Sequence, residues 1–261
     1  MKKATIVIIA VIGLLLYGCK AEKQEESDSE AKELLLYCGA GIRPPAEELA
    51  ESFEREHGIR IATNYAGSET LLSTIRLARQ GDLYMPGDKH YVEQAKQEGM
   101  IISQKSVCYW IPTILVQKGN PKNIRRLQDL LRPGLKVGLG DAKACAIGRT
   151  TKQIFAKNNI AWDEVEKNLK FQSLTVNELG MQIQAKSLDA VIVWDAIAQY
   201  YNEHGTAVPI TVGKNVISTV DIGILAFTEN RPLAEKFVEF TASVRGRDIF
   251  VKHNYTVEHP K

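Results

Sequence analysis

Residues 34–53 read LLLYCGAGIRPPAEELAESF, and this stretch decides the class of fold. Leu34–Cys38 is a short, unbroken apolar run, the pattern of a strand buried on both faces of a parallel sheet. Gly39-Ala40-Gly41 follows at once. Such small residues let a backbone turn sharply and come close to whatever sits there. Pro44-Pro45 then opens a helix, in the first turn where a missing N–H is tolerated. Leu49 and Phe53 stand four residues apart on its inner face, and Gly58 supplies a stop. The unit is strand, turn, helix, and its turn lies at the carboxyl end of the strand, where open α/β sheets bind ligands.

The same alternation continues outward. Ile59–Tyr65 alternates as a second strand, and Ala66-Gly67-Ser68 turns into a helix running to Gln80 with Ser68 as its N-cap. Asp82–Met85 is a third strand that ends at Pro86-Gly87-Asp88, before a helix over about 89–98. Val107–Val116 is apolar and extended, and Pro112 within it predicts an edge or a bend. This stretch reads as a first crossover between two lobes. Beyond it come strands at 136–139, 170–174 and 190–194, with helices through Asn158, over 177–186 and from Asp195. Val216–Phe227 is the return crossover, and helices over about 231–243 and 245–252 finish the first lobe. Alternating strands and helices predict parallel sheets. The expected division is lobe 1 over 32–112 with 216–261, and lobe 2 over 113–215.

The N-terminus stands apart. Lys2-Lys3 precedes an apolar run from Ala4 to Tyr17, then Leu16-Tyr17-Gly18-Cys19. A run of this length behind a basic start is the pattern of a signal peptide over 1–18. A small residue directly before Cys resembles a bacterial lipobox, with Cys19 as the lipidated N-terminus. Acyl chains there would attach the chain to a membrane. Residues 19–31 hold no aromatic or β-branched side chain after Cys19, so they cannot bury enough apolar area to order themselves and read as a tether. The expected location is extracytoplasmic, lipid-anchored to a bacterial membrane.

Charge excludes one class of partner. The chain has 33 Lys and Arg against 31 Asp and Glu. Without Lys2 and Lys3 the two signs balance, which argues against a nucleic-acid surface. Cys38, Cys108 and Cys145 show no CxxC or Cys/His metal spacing, and being odd in number they form at most one disulfide. They read as small buried hydrophobes. The histidines, at 57, 90, 204, 253 and 259, follow no nucleophile-elbow or metal pattern, and there is no P-loop or Rossmann fingerprint. The chain is therefore expected not to be an enzyme and to need no cofactor.

Small-residue turns recur where strands end and helices begin: 39–43, 66–70, 86–88, 144–148, 175–176 and 194–195. Helix N-termini carry unpaired N–H groups and partial positive charge, which suit an anion. At these turns the chain resembles the molybdate/tungstate-binding components of ABC importers. The blocks that carry the likeness are LYCGAGIRPPAEELAESF at 36–53, YAGSETL and DLYMPGD within 65–88, VGLGDAKACAIG from 137, LDAVIVWDA at 188–196 and FVEFTASVRGRDIFVKHNY at 237–255. The resemblance implies a type II periplasmic-binding-protein fold, α/β, with two doubly wound lobes joined by two crossover strands. It implies a monomer that captures a tetrahedral oxyanion in the interlobe cleft and hands it to an ABC permease. It further implies ligand contacts from Ala40, Gly41, Ser68, Gly87, Ile147 and Val176, with Ser68 giving its hydroxyl and Gly87, Ile147 and Val176 backbone N–H groups. Two positions depart from the family pattern: Gly41 stands where a ligand-binding Ser is usual, and Trp194 where a Tyr hydroxyl is usual. Arg43 and the indole N–H of Trp194 are candidate replacement donors. Asp88 and Asp195 read as caps or hinge contacts.

Other ligands stay open on the residues alone. Tyr200-Tyr201 resembles the paired tyrosines of ferric-ion binders of the same fold. Cys38 and Cys145 both lie at cleft turns, which admits a thiophilic ligand. A sensor that reports its ligand state to a membrane receptor would carry the same site.

Overall fold

The computed structural model describes residues 33–260. The expected signal peptide, the tether and the lipidation site Cys19 lie outside the described residues. Along the chain run β1 (Glu33–Gly39), α1 (Arg43–His57), β2 (Arg60–Ala66), α2 (Ser68–Ala78), β3 (Leu83–Met85), α3 (Lys89–Gln97), β4 (Ile101–Trp110) and β5 (Pro112–Gln117). Then come β6 (Val137–Gly140), α4 (Ala146–Lys157), α5 (Trp162–Glu166), β7 (Leu169–Ser173), α6 (Val176–Gln184), β8 (Ala190–Trp194), α7 (Asp195–Tyr200) and β9 (Gly205–Pro209). β10 (Ser218–Leu225), α8 (Arg231–Ala242) and α9 (Val244–Lys252) close the chain.

The strands form two five-stranded sheets, ordered β2-β1-β3-β10-β4 and β7-β6-β8-β5-β9. Each is the heart of one lobe. The first sheet buries Leu34, Leu36, Leu83, Ile222 and Ile224 against the flanking helices, and Phe53 of α1 meets Phe237 of α8 edge-on at 5.0 Å. Each such fully buried side chain contributes about 1.5–3 kcal/mol. The second sheet buries the whole of β8, Ala190–Trp194, as its unbroken apolar run requires.

The sheets are mixed rather than purely parallel. β1, β2 and β3 pair in parallel, as do β6, β7 and β8, but β10 is antiparallel to β3 and β4, and β5 is antiparallel to β8 and β9. The cause is the crossing of the chain. β4 leaves the first lobe and β10 returns to it, so the two lie head to tail without a crossover helix between them. Pro112 is the first residue of β5, an interior strand, and it marks the bend rather than an edge. A proline at a strand's first residue removes no interior ladder bond. Ser68 is the first residue of α2, and Gly67 is the N-cap, in extended conformation with no side-chain cap. β9 and the short α5 carry little periodicity of their own and were not anticipated from the sequence.

Asn215 joins the two crossing segments. Its side-chain amide donates to the Pro112 carbonyl at 2.8 Å and to the Ile210 carbonyl at 3.4 Å. Asp195 joins them to the C-terminal segment. Its carboxylate accepts from the Ile111 N–H at 3.4 Å and from the Thr256 hydroxyl at 3.1 Å. Burial pushes the Asp195 carboxyl above the usual carboxylate range. Among the described residues no helix is long and apolar enough to cross a membrane.

Candidate functional site

The parallel strands of both sheets end facing one another, and a cavity lies between them. Its wall comprises Gly39, Ala40 and Gly41 at the end of β1, Ala66, Gly67 and Ser68 at the end of β2, and Gly87 after β3. The second lobe supplies Cys145, Ala146 and Ile147 before and within α4, and Thr175 and Val176 at the start of α6. Trp110 and Trp194, at the ends of β4 and β8, close it on one side. The cavity is small, about 20 Å³. A single water needs roughly 10–15 Å³, so the enclosed space is on the scale of a small solute.

No charged side chain lines this cavity. Its polarity comes from the backbone and from hydroxyls. α2, α4 and α6 all begin at the wall, so their first N–H groups, including those of Ile147 and Val176, have no acceptor within their own helices. Ser68 is buried, and its Oγ accepts the Gly87 N–H at 3.0 Å. That bond occupies Gly87's donor and leaves the Ser68 hydroxyl proton free to point elsewhere. The Tyr84 hydroxyl donates to the Ser68 carbonyl at 2.9 Å and fixes the turn from below.

Two glycines are required by the approach of the second lobe. A Cβ on Gly41 would lie 2.7 Å from Cγ1 of Val176. A Cβ on Gly67 would lie 2.7 Å from the Leu174 carbonyl oxygen and 2.8 Å from that of Ala144. The lobes are closed on one another here. The Glu69 N–H donates to the Ala144 carbonyl at 3.3 Å, and the Asn177 side-chain amide to the Ala40 carbonyl at 3.1 Å.

The two indoles stack, with centroids 5.0 Å apart and planes 26° from parallel. Tyr255 packs on Trp110 at 5.0 Å and gives its hydroxyl to the Gly41 carbonyl. The Trp110 N–H is buried and has no hydrogen-bond partner. Cys145 and Thr175 stand at two of the turns that the sequence marks, whereas Trp110 carries no such signal of its own. The one signal for Trp110 was its place at the end of the first crossover strand, just before Pro112.

Of the eight expected ligand residues, Ala40, Gly41, Ser68, Gly87, Ile147, Val176 and Trp194 line the cavity, and Arg43 does not. The Arg43 guanidinium lies over the Tyr65 ring, 4.2 Å from its centroid, and faces Glu47 one helical turn on. It starts α1, and its half-exposed side chain runs along the outside of the turn. Tyr200 and Tyr201 also lie off the cavity. The Tyr200 hydroxyl meets Nδ1 of His253 at 3.2 Å, and the Tyr201 hydroxyl donates to the Asn177 carbonyl. Cys145 lines the cavity whereas Cys38 does not, and all three described cysteines are free and buried. Burial pushes the Cys145 thiol up to about 11, so it is neutral beside the cavity at physiological pH. Asp88 caps α3 by accepting the His90 N–H at 2.8 Å.

Comparison with known proteins places this architecture. The molybdate-binding protein ModA of Mycobacterium bovis is 23% identical over 221 residues, 84% of this chain and 82% of that one. Among solved structures, the sulfate-binding protein SubI of Mycobacterium tuberculosis superposes with a TM-score of 0.78 at 18% identity, covering 88% of each chain. The periplasmic molybdate-binding protein of Azotobacter vinelandii superposes with a TM-score of 0.73 at 14% identity, covering 87% of this chain and all of that one. These likenesses fix a type II periplasmic-binding-protein fold. The family model for bacterial extracellular solute-binding proteins matches residues 34–256, and the chain belongs to that family of solute-binding, non-catalytic proteins.

Proposed function

We propose that this protein captures a small tetrahedral oxyanion, molybdate or tungstate, in the interlobe cavity and delivers it as a monomer to an ABC permease. The observation that carries this reading is a cavity of a few atoms' volume, walled by three helix N-termini and a buried serine, with no charged side chain. Such a wall holds an oxyanion by oriented N–H and O–H dipoles. It offers a bare cation such as ferric iron no carboxylate or phenolate. The ligand contacts are the Ser68 hydroxyl, the N–H groups of Ile147 and Val176, and the Trp194 indole, with Ala40, Gly41 and Gly87 shaping the floor. Lobe closure replaces the anion's water with these donors, and selectivity follows from cavity size. Lipidation at Cys19 keeps the protein at the outer face of the membrane, near its permease.

Isothermal titration of the detergent-purified full chain with molybdate, tungstate, sulfate, phosphate, a hexose phosphate and ferric citrate tests this. Tight binding of molybdate or tungstate, with sulfate much weaker, is expected. Binding of sulfate alone moves the assignment to a smaller oxyanion, and binding of the hexose phosphate or of ferric citrate in place of any oxyanion refutes it.

A further inference from the structure

We propose that Asp88 and Arg149 form a positioning pair that holds the lobes closed around the ligand and sets its residence time. This rests on the reading of the cavity as the oxyanion site.

Asp88 follows Gly87 on the first-lobe wall and is itself almost wholly buried. One carboxylate oxygen caps α3. The other accepts from Nη2 of Arg149 at 3.0 Å and from the Thr150 hydroxyl at 3.3 Å. Arg149 and Thr150 belong to the opening of α4, whose first residues, Ala146 and Ile147, form the facing wall. One carboxylate therefore ties the turn beneath Ser68 to the helix end that offers its N–H groups across the cavity. Among the ion pairs of the described residues, this one joins the two lobes and has a partner out of solvent, the Asp88 side chain being 3% exposed.

The charges explain the placement. An arginine near a helix N-terminus opposes the helix dipole, and a carboxylate beside that end favours it. A lone carboxylate next to an anion site would repel the ligand, and a lone arginine would attract every anion alike. Paired, the two add no net charge to a wall that discriminates by geometry. When the lobes part, both groups return to water and the pair is lost, so it favours the closed form over the open one. A ligand that binds the closed form gains apparent affinity with the fraction closed.

Asn caps a helix about as well as Asp, so Asp88→Asn removes the cross-lobe charge while α3 keeps its cap. Arg149→Met leaves Asp88 uncompensated near the anion. The experiment uses the full chain in detergent, spin-labelled at Glu93→Cys and Gln153→Cys, two exposed positions on opposite lobes, with the native described thiols buried. Interlobe distances are measured without ligand and with molybdate, and molybdate dissociation is followed by tryptophan fluorescence. Each single variant is expected to shift the ligand-free distances toward the open form and to raise the dissociation rate on the order of tenfold or more. Association should change little. The loss should be larger for Arg149→Met, the double variant should lose less than the sum of the two, and Arg149→Lys should recover part of the effect. Dissociation rates within twofold of wild type, with unchanged ligand-free distances, overturn the proposal. If wild type binds no oxyanion the ligand reading falls, and the ligand-free distances alone still decide the pair, unchanged distances overturning it.

Discussion

Ser68 and Gly41 show how single atoms decide this cavity. The Ser68 oxygen is committed as an acceptor to Gly87, so its proton is the one hydroxyl donor the first lobe presents. A hydrogen bond to a charged group contributes about 1.5–3 kcal/mol. Ser68→Ala should therefore weaken molybdate binding by roughly 10- to 150-fold in isothermal titration. Unchanged affinity would remove Ser68 from the site. Gly41 presents the opposite case. Restoring the serine usual in the resembling family should not restore a donor, because its Cβ would press on Cγ1 of Val176, and a β-branched neighbour has little freedom to yield. Gly41→Ser is expected to weaken binding by hindering closure, and Gly41→Ser with Val176→Ala to recover it. A tighter-binding single variant would show that the closed lobes have slack here. Gly41 and Val176 belong together, because the space that Gly41 leaves is taken by the Val176 side chain, and reading position 41 alone makes the glycine look like a lost contact.

At the scale of elements, the sequence marks most of what builds the cleft. The turns at 39–41, 66–68, 87, 146–147, 175–176 and 194 combine small residues with an adjoining apolar run and an amphipathic helix, and those signals are local. What local pattern does not carry is direction and side-chain path. The antiparallel placement of β10 and β5 depends on where the chain crosses between lobes. Arg43 stands at the right turn, but its guanidinium follows the Tyr65 ring away from the cavity, and no spacing rule reveals that. Trp110 enters the wall only because β4 ends beside β8. The crossing itself depends on Asn215, which is 2% exposed and bonds the Pro112 and Ile210 carbonyls. Asn215→Ala leaves a buried carbonyl without its donor, at a cost of about 1–3 kcal/mol. Denaturant unfolding should report that loss, with a midpoint below wild type. An unchanged midpoint would mean that the crossing segments are held by their strands alone.

The whole molecule responds to pH through what it buries. Cys145 is pushed up to about 11 from an ordinary value of 9.0, and burial raises Cys38 and Cys108 in the same direction. The phenols of Tyr84 and Tyr255, buried within the first lobe and beside the cavity, are raised well above their ordinary 10.0. A group whose folded-state value is raised holds a proton that the unfolded chain releases. Its contribution to stability is complete below the unfolded value and is lost as pH rises through the folded one. These groups lie in both lobes, so the loss should begin near pH 9, where unfolded thiols ionise, and steepen past pH 10 as unfolded phenols follow. Melting temperatures taken between pH 7 and 11 should hold steady to about pH 9 and then fall. Cys145→Ser should soften the first part of the fall, since a hydroxyl does not titrate there. If the cavity takes an oxyanion as proposed, molybdate should delay the fall by mass action, as any ligand of the folded form does. A melting temperature that stayed level to pH 11 would require solvent to reach these thiols and phenols in the folded state, and with them the cavity wall that Cys145 helps to form.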